Sequence, residues 1–155
     1  MTETDYSITV DTEEAMLKLG KRIGERLFPY SFVALFGGLG AGKTTITKGI
    51  AEALGIDGIL SPTFTIVRSH SGALPLNHFD AYRIEDADEL YAVGYDDYMS
   101  EGGVIVMEWC ENVPEALPPE RLEIHIKGSG NEPRRVELIG IGREYSDIVK
   151  EISEC

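Results

Sequence analysis

The feature that most constrains this chain is the glycine-rich run GGLGAGKTT at residues 37–45. The run fits the phosphate-loop pattern G-x-x-x-x-G-K-[ST], whose fixed positions here are Gly37, Gly42, Lys43 and Thr44. Glycines let a strand turn sharply into a helix, so that successive backbone N–H groups point at one place. An apolar run precedes the loop at residues 32–36, and a helix-compatible segment follows it to about Leu54. We therefore expect a strand, a phosphate-binding loop and a helix in this order.

Each part of the loop has its own role in binding phosphate. The helix N-terminus adds partial positive charge, and Lys43 supplies an ammonium group for the β and γ phosphates. The hydroxyl of Thr44 is a ligand for Mg²⁺ in such loops. We expect ATP or ADP to contact Gly38, Leu39, Gly40, Ala41, Gly42, Lys43, Thr44 and Thr45.

The composition indicates a single globular domain that spans residues 1–155, with 43% apolar and 26% charged residues. The net charge of −13 argues against a protein that holds nucleic acid across its surface, because repulsion opposes the counterion release that drives such binding. ATP is also an anion. Its site must therefore depend on the local field of the loop, Lys43 and Mg²⁺.

The sequence has no recognisable targeting or membrane segment. The opening MTETDYSITV lacks the basic and then apolar order of a signal peptide, and no apolar run approaches the roughly 18 residues of a membrane span. The two cysteines, Cys110 and Cys155, do not have metal-site spacing, and we expect both to be reduced thiols. These patterns predict a cytoplasmic protein without membrane attachment.

Hydrophobic periodicity and turn residues predict an α/β protein. Strands are expected at residues 6–10, 32–36, 64–68, 74–80, 103–109, 122–126 and 135–139. Helices are expected from about residue 13 to a stop at Pro29, at residues 43–54, in a short stretch within 86–101, and at residues 143–152. Two hairpins among these strands imply a mixed sheet. We expect a P-loop NTPase-like three-layer sandwich, with a mixed central β-sheet flanked by helices.

Carboxylates close two of the predicted strands. Glu108 ends a continuous apolar run, and Asp80 follows a strand that also carries His78. In phosphate-loop enzymes an acid at such a position holds Mg²⁺, and it orients or deprotonates the attacking water. We interpret His78 itself as a hydrogen-bonded structural residue. Trp109 has two interpretations, stacking on a base or packing on the core.

One further segment also has two interpretations. The SPTFT run at residues 61–65 holds three hydroxyls near a rigid proline and would suit a sensor of the γ phosphate, or it begins a strand. Thr12 precedes the first predicted helix, where it would cap the helix N-terminus. The acidic residues within 86–101 are expected to face solvent.

Together these motifs resemble the TsaE family, small ATPases of bacterial tRNA threonylcarbamoyladenosine synthesis. The matching segments are GAGKTT at 40–45, SPTF at 61–64, HFD-x-YR at 78–83, Glu89-Leu90 with Gly94, and Met107-Glu108-Trp109 with Glu111. The loop is shared by many NTPases, whereas SPTF and HFD-x-YR at these distances are specific to the family. Gly38 is a departure, since the family usually has Asp there. The last third of the chain has no diagnostic motif.

The resemblance implies a role supporting the TsaB–TsaD pair, which transfers a threonylcarbamoyl group to the adenosine beside the anticodon of certain tRNAs. The protein would not perform that transfer. Its slow ATP hydrolysis would drive or reset the assembly, and it would meet tRNA only through these partners. By the same resemblance, the catalytic group is Lys43, Asp80 and Glu108, with Asp80 near the γ phosphate. Mg²⁺ would be held by Thr44 and Glu108, and Thr12 and Trp109 would line the nucleotide pocket.

Two other functions fit the phosphate loop. A small-molecule kinase would use it with an acceptor pocket and a lid, although no basic lid segment is visible. A non-hydrolytic subunit would bind ATP only to stabilise an interface. A GTPase is disfavoured, because no asparagine begins the N-K-x-D pattern of guanine selection.

Overall fold

The computed structural model describes residues 2–59, 62 and 65–154. Within these ranges the chain forms one seven-stranded sheet. The strands are β1 (Glu3–Val10), β2 (Phe32–Phe36), β3 (Val67–His70), β4 (Leu76–Asp80), β5 (Val104–Glu108), β6 (Arg121–Lys127) and β7 (Arg134–Ile141). The helices are α1 (Glu13–Gly24), α2 (Lys43–Ala53), α3 (Ala87–Ala92), α4 (Tyr95–Ser100) and α5 (Arg143–Ser153), with 3₁₀ turns at Cys110–Asn112 and Pro114–Ala116.

The strands lie in the order β1-β7-β6-β2-β5-β4-β3. At the centre β2 is parallel to β5 and β6, and β5 is parallel to β4. Towards the edges β3 is antiparallel to β4, and β7 is antiparallel to β1 and β6. The mixed sheet and its two hairpins are therefore confirmed. Because β2, β5 and β4 run in one direction, their carboxyl ends meet at one edge of the sheet.

Both faces of the central strands are covered, which explains their continuous apolar sequence. On β2, the side chains of Val33 and Leu35 join a core shared with α1, α2 and α5. The alternate residues Phe32 and Ala34 join a second core, shared with α3, α4 and the 3₁₀ turns. Successive side chains of a strand point to opposite faces, so one short strand contributes to both cores. The three-layer sandwich is confirmed.

The helix that carries the phosphate loop packs with its backbone close against α1. A Cβ atom on Gly20 of α1 would overlap the carbonyl group of Ile46, and one on Gly49 of α2 would overlap the carbonyl group of Leu17. Gly24 makes a similar approach to Ile50, where a Cβ would lie 2.7 Å from the carbonyl oxygen. Glycine is therefore required along this contact, which fixes the position of α2 relative to α1.

The first helix ends earlier than expected. The prediction that Pro29 stops α1 is wrong, because the helix ends at Gly24. Beyond it the N–H groups of Arg26 and Leu27 donate to carbonyls three residues earlier, at 3.0 and 3.3 Å, which tightens the last turn and directs Leu27 into the core. Such i→i−3 bonds commonly close a helix.

The strand expected at residues 64–68 also begins later, at Val67. The N–H groups of Thr65 and Ile66 both donate to the carbonyl of Pro62 at 2.8 Å, so these residues form a turn. Phe64, where the strand was expected to begin, lies outside the described residues, as does Cys155. No helix in the described ranges has the length and apolar character needed to cross a membrane.

We predict that Gly49→Ala destabilises the protein although alanine is the better helix former. Replacing glycine in a helix interior gains about 1 kcal/mol of propensity. The added Cβ meets the backbone of α1, which cannot rotate away, and overpacking of this kind costs about 1–3 kcal/mol or more. We expect a lower unfolding free energy and melting temperature, measured by thermal denaturation followed by circular dichroism.

The matched control is Gly38→Ala, since a Cβ at Gly38 meets no atom within 4 Å. Its unfolding free energy should change by less than about 0.5 kcal/mol. A melting temperature for Gly49→Ala equal to that of the control would show that the two helices separate without cost.

Candidate functional site

The phosphate loop joins β2 to α2 at the carboxyl edge of the sheet. Gly40 and Gly42 have φ angles of +75° and +113°, in the left-handed region that other residues rarely adopt. At Gly37 a Cβ would lie 3.0 Å from the carbonyl oxygen of Ile126, which is a tight contact. Gly42 therefore has the backbone role predicted for the glycines of the pattern. At Gly38 an added Cβ meets no atom within 4 Å, so the loop has room for a side chain at this departure from the family pattern.

The N-terminus of α2 is prepared for an anion. Gly42 caps this helix without a side-chain hydrogen bond, and the first turn contains no acidic residue. The other α-helices in the described ranges all carry acids in their first turn, such as Glu13 and Glu14 in α1. Acids in the first turn interact favourably with the positive end of the helix dipole. Because α2 has none, the positive end of its dipole is available to a bound anion.

Lys43 is held among three groups at the start of α2. Its Nζ donates to the carbonyl oxygen of Gly37 at 2.8 Å, and it lies 4.0 Å from Oε1 of Glu108. The same Nζ lies 3.9 Å from the centroid of the Trp109 ring. The Lys43 side chain is only 6% exposed, so its charge acts in surroundings that screen it weakly.

The two predicted acids meet at the ends of β4 and β5. Asp80 and Glu108 are partners in the parallel register of these strands, and each is 8% exposed. Oδ1 of Asp80 accepts a hydrogen bond from the N–H group of Tyr82 at 2.9 Å. Burial raises the pKa of the Asp80 carboxyl above its ordinary value, and the nearby Glu108 charge adds to the shift. Asp80 is therefore a better proton acceptor than an ordinary aspartate.

His78 contacts Glu108 directly, with 2.7 Å between Nε2 and Oε2. The ring is buried, and its position in β4 lies beside β5. With a hydrogen on Nε2, the imidazole donates to Oε2 of the carboxylate. The other oxygen, Oε1, then faces Lys43. The interpretation of His78 as hydrogen-bonded holds, but the sequence did not reveal its partner. Only the pairing of β4 with β5 brings His78 to Glu108, so the contact could not be predicted from the sequence.

A cleft of about 470 Å³ collects most of the predicted site. Its lining residues are Leu39, Gly40, Ala41, Gly42, Lys43, Thr44, Thr45, Asp80, Tyr82, Glu108 and Trp109. The Thr44 hydroxyl and Glu108 carboxylate in this cleft are hard oxygen donors of the kind that Mg²⁺ prefers. No group of three His, Cys, Asp or Glu residues suited to a metal occurs among the described residues. Mg²⁺ here would take its other ligands from phosphate and water, as it commonly does.

Thr12 lies in a second cleft of about 410 Å³, which shares residues 40–42 and Thr45 with the first. Its Oγ1 accepts from the N–H group of Ala15 at 3.0 Å, so the predicted helix cap is present. Trp109 is absent from the lining of this second cleft. Thr12 and Trp109 therefore flank the phosphate loop in different clefts.

The core-packing interpretation of Trp109 is confirmed, whereas stacking on a base stays a prediction. The ring packs against the core beneath α3 and α4, and it also lines the cleft of Lys43. It contacts Tyr82, with 4.9 Å between ring centroids. The backbone of Trp109 has φ +61°, an unfavourable conformation for a residue with a large side chain. Such strained residues concentrate at functional sites.

One predicted element lies partly beyond what the structure describes. In the SPTFT run, Ser61 and Thr63 lie outside the described residues, and the hydroxyl of Thr65 donates to the carbonyl of Pro62 at 3.3 Å. The γ-phosphate sensor therefore stays a prediction.

Arg134 is a residue that the sequence analysis did not place in the site. Its guanidinium donates to the carbonyl oxygens of Ala41 at 3.0 Å and Gly40 at 3.2 Å. It also lines the cleft of Thr12. Because β7 is distant in sequence from the loop, only its tertiary position could reveal this contact.

The chain is similar to known proteins over most of its length. Residues 10–136 match the family described as Threonylcarbamoyl adenosine biosynthesis protein TsaE. A protein of Bacillus subtilis named tRNA threonylcarbamoyladenosine biosynthesis protein TsaE is 44% identical over 149 residues, covering 94% of this chain and 91% of the relative. A Streptomyces coelicolor protein of the same name is 39% identical over 140 residues, covering 84% of this chain and 94% of the relative.

A solved structure shares the fold. The crystal structure of Bacillus subtilis YdiB superposes with a TM-score of 0.85 at 35% identity, covering 99% of this chain and 97% of that chain. The family match and the curated relatives agree with the motifs that surround the phosphate loop. This chain belongs to the TsaE family.

Proposed function

We propose that this protein binds and hydrolyses ATP as an accessory subunit of a TsaB–TsaD complex, which forms the threonylcarbamoyl modification on the adenosine beside the anticodon of tRNA. The family's part in tRNA threonylcarbamoyladenosine biosynthesis supports the pathway. The observation that carries the ATPase activity is the convergence of Lys43, Asp80 and Glu108 at the phosphate loop.

ATP fits the site with its phosphates on the loop. Backbone N–H groups at the start of α2 and the Lys43 ammonium would bind the β and γ phosphates. The cleft of Thr12 shares residues 40–42 with the cleft of Lys43 and would receive the nucleoside. Trp109 would then stay beside Lys43 and the phosphates. In this placement Trp109 would contact the phosphate end of the nucleotide instead of stacking on the base.

Mg²⁺, held by Thr44 and Glu108, would neutralise charge on the β and γ phosphates. The protein's own groups supply the rest of the chemistry. In hydrolysis the oxygen of water bonds to the γ phosphorus while the bond from that phosphorus to the β–γ bridging oxygen breaks, releasing ADP and phosphate. Asp80 or Glu108 orients the water and takes its proton. Lys43 stabilises the negative charge that spreads over the transferred group.

His78 acts through Glu108. Its Nε2 holds Oε2, so the carboxylate keeps one orientation while Oε1 faces Lys43 and the cleft. A buried hydrogen bond to a charged group contributes about 1.5–3 kcal/mol. That energy is enough to keep Glu108 in a single rotamer, and preorganised groups lower the barrier because they need no rearrangement during the reaction.

The distribution of charge favours a division of labour with partner proteins. The net charge of −13 disfavours direct tRNA binding, so the partners would hold the tRNA. Leu39, at the tip of the phosphate loop, is 77% exposed, and Tyr82, at the same cleft, is 50% exposed. Exposed apolar side chains beside a nucleotide suit a partner that completes the site. This arrangement also predicts slow turnover by the isolated protein.

Binding and hydrolysis should separate in two variants. Lys43→Ala removes the phosphate-binding ammonium, so ATP affinity should fall by about tenfold or more. Glu108→Gln keeps the shape of the side chain and should keep ATP binding, whereas phosphate release should fall by about a hundredfold or more. Calorimetric titration measures the first effect, and a phosphate-release assay measures the second.

Lys48→Ala is the matched control, because Lys48 is an exposed lysine on the same helix. It should behave as the wild type in both assays. If Lys43→Ala and Glu108→Gln both supported tRNA modification at the wild-type rate, hydrolysis would be irrelevant and the protein would be a non-hydrolytic subunit.

Removing the partner of Glu108 should reduce turnover more than binding. In His78→Ala we expect kcat for ATP hydrolysis to fall by about tenfold or more, as is typical when a supporting residue of a metal site is lost, with a smaller change in KM. His78→Gln keeps a donor and should recover part of the loss. His125→Ala is the control, because His125 pairs with Glu123 at 2.8 Å outside the cleft of Lys43. Equal loss in both alanine variants would contradict the role of His78.

Partner proteins should accelerate phosphate release. The isolated protein has its cleft open to solvent at Leu39 and Tyr82, and a docked TsaB–TsaD complex would order and cover it. Phosphate release is measured for the protein alone, with TsaB, with TsaD and with both. An unchanged rate in the three-component mixture would refute the partnership.

A further inference from the structure

Within the described residues, the Arg134 guanidinium donates hydrogen bonds to four backbone carbonyl groups. From the first position of β7 its Nε donates to Ala41 and its Nη2 to Gly40 in the phosphate loop. The same guanidinium donates to the carbonyl oxygens of Gly130, at 3.1 Å, and Glu132, in the turn before β7. One side chain therefore joins two loops that are far apart in sequence. Its five N–H donors in a planar fork make arginine suited to such a junction.

The contacts with the loop determine where its N–H groups point. In a trans peptide the carbonyl of one residue and the N–H of the next point in opposite directions, and the described residues contain no cis peptide. Arg134 holds the Ala41 carbonyl, so the N–H of Gly42 points away from the guanidinium. In the preceding peptide Arg134 holds the Gly40 carbonyl, and the N–H of Ala41 donates to Gly38 at 3.2 Å. Two successive peptide planes are thus fixed.

These planes lie at the point where a phosphate would bind. Gly42 caps α2, whose first N–H groups have no partner within the helix. The carbonyl oxygens of Gly40 and Ala41 carry partial negative charge that would repel an anion. Turning them towards a guanidinium removes that repulsion and adds a positive charge near the loop.

We propose that Arg134 is a positioning residue for the phosphates of a nucleoside di- or triphosphate, acting through the carbonyls of Gly40 and Ala41. The inference rests on the proposed ATP binding and deepens it. Arg134 acts on the loop rather than on the base or ribose, although it lines the cleft of Thr12. Its effect is therefore the same for any ligand with a diphosphate group.

Arg134→Ala, Arg134→Lys and Arg135→Ala test this role. Binding of ATP and of inorganic pyrophosphate is followed by the fluorescence of Trp109, the single tryptophan of the chain, which contacts Lys43. Arg135 is the matched control, because it follows Arg134 in β7, points to the opposite face and is exposed. Thermal denaturation without ligand checks that each variant is folded.

We expect Arg134→Ala to lower the affinity for ATP and for pyrophosphate by similar factors, about tenfold each. The reason is that the loop loses two hydrogen bonds from a charged group. The affinities of Arg134→Lys should lie between those of the wild type and Arg134→Ala, because a single ammonium cannot hold two carbonyls in the geometry of the planar fork. In ATP hydrolysis KM should rise while kcat changes little, which marks uniform loss of binding. Arg135→Ala should bind both ligands as the wild type does.

Two results would overturn the proposal. Wild-type affinity for both ligands in Arg134→Ala and Arg134→Lys would show that the loop keeps its shape without the guanidinium. A loss for ATP with unchanged pyrophosphate binding would show direct contact with the nucleoside. If Arg134→Ala does not fold, Arg134→Lys decides alone, and wild-type affinity for both ligands then overturns the proposal. Failure of the wild type itself to bind either ligand would instead refute the proposed ATP binding.

Discussion

The parallel alignment of β2, β5 and β4 is the constraint on which the rest of the site depends. Each of these strands ends at the same edge of the sheet, so whatever follows or closes them is brought together there. The phosphate loop follows β2, Glu108 closes β5, and Asp80 closes β4. Three segments separated by long stretches of sequence thus meet around Lys43. The antiparallel hairpin of β6 and β7 then adds Arg134 at one side of the loop.

The sequence contained the parts of this site whose signal is local. The loop pattern, the Thr12 cap and the two strand-closing acids depend on neighbouring residues, so they could be predicted from short segments. The contacts of His78 with Glu108 and of Arg134 with Ala41 depend on how strands pair, which no local pattern encodes. The early end of α1 was not predicted either. The N–H groups of Arg26 and Leu27 donate to carbonyls three residues earlier and close the helix, whereas periodicity alone extended it towards Pro29.

The site resolves an electrostatic conflict that the composition poses. In our proposal, a chain with a net charge of −13 binds a polyphosphate next to two buried carboxylates. The structure places an acid-free helix N-terminus, Lys43 and Arg134 around the loop, and these groups oppose the global repulsion at short range. Asp80 and Glu108 remain unfavourable neighbours for phosphate in the absence of a cation. Mg²⁺ would therefore be a condition for tight binding in our proposal, beyond its part in chemistry.

The glycine contact between α1 and α2 bears on where this protein can move. Most packed helices are separated by side chains, which can change rotamer when the helices move slightly. Here the backbones of α1 and α2 contact each other directly at their glycines. Sliding of α2 along α1 would press backbone atoms together, so we expect the two helices to move as one body. Conformational work during a nucleotide cycle would have to be done by the peripheral loops. The stiff core would serve as the fixed support against which those loops exert force on a bound partner.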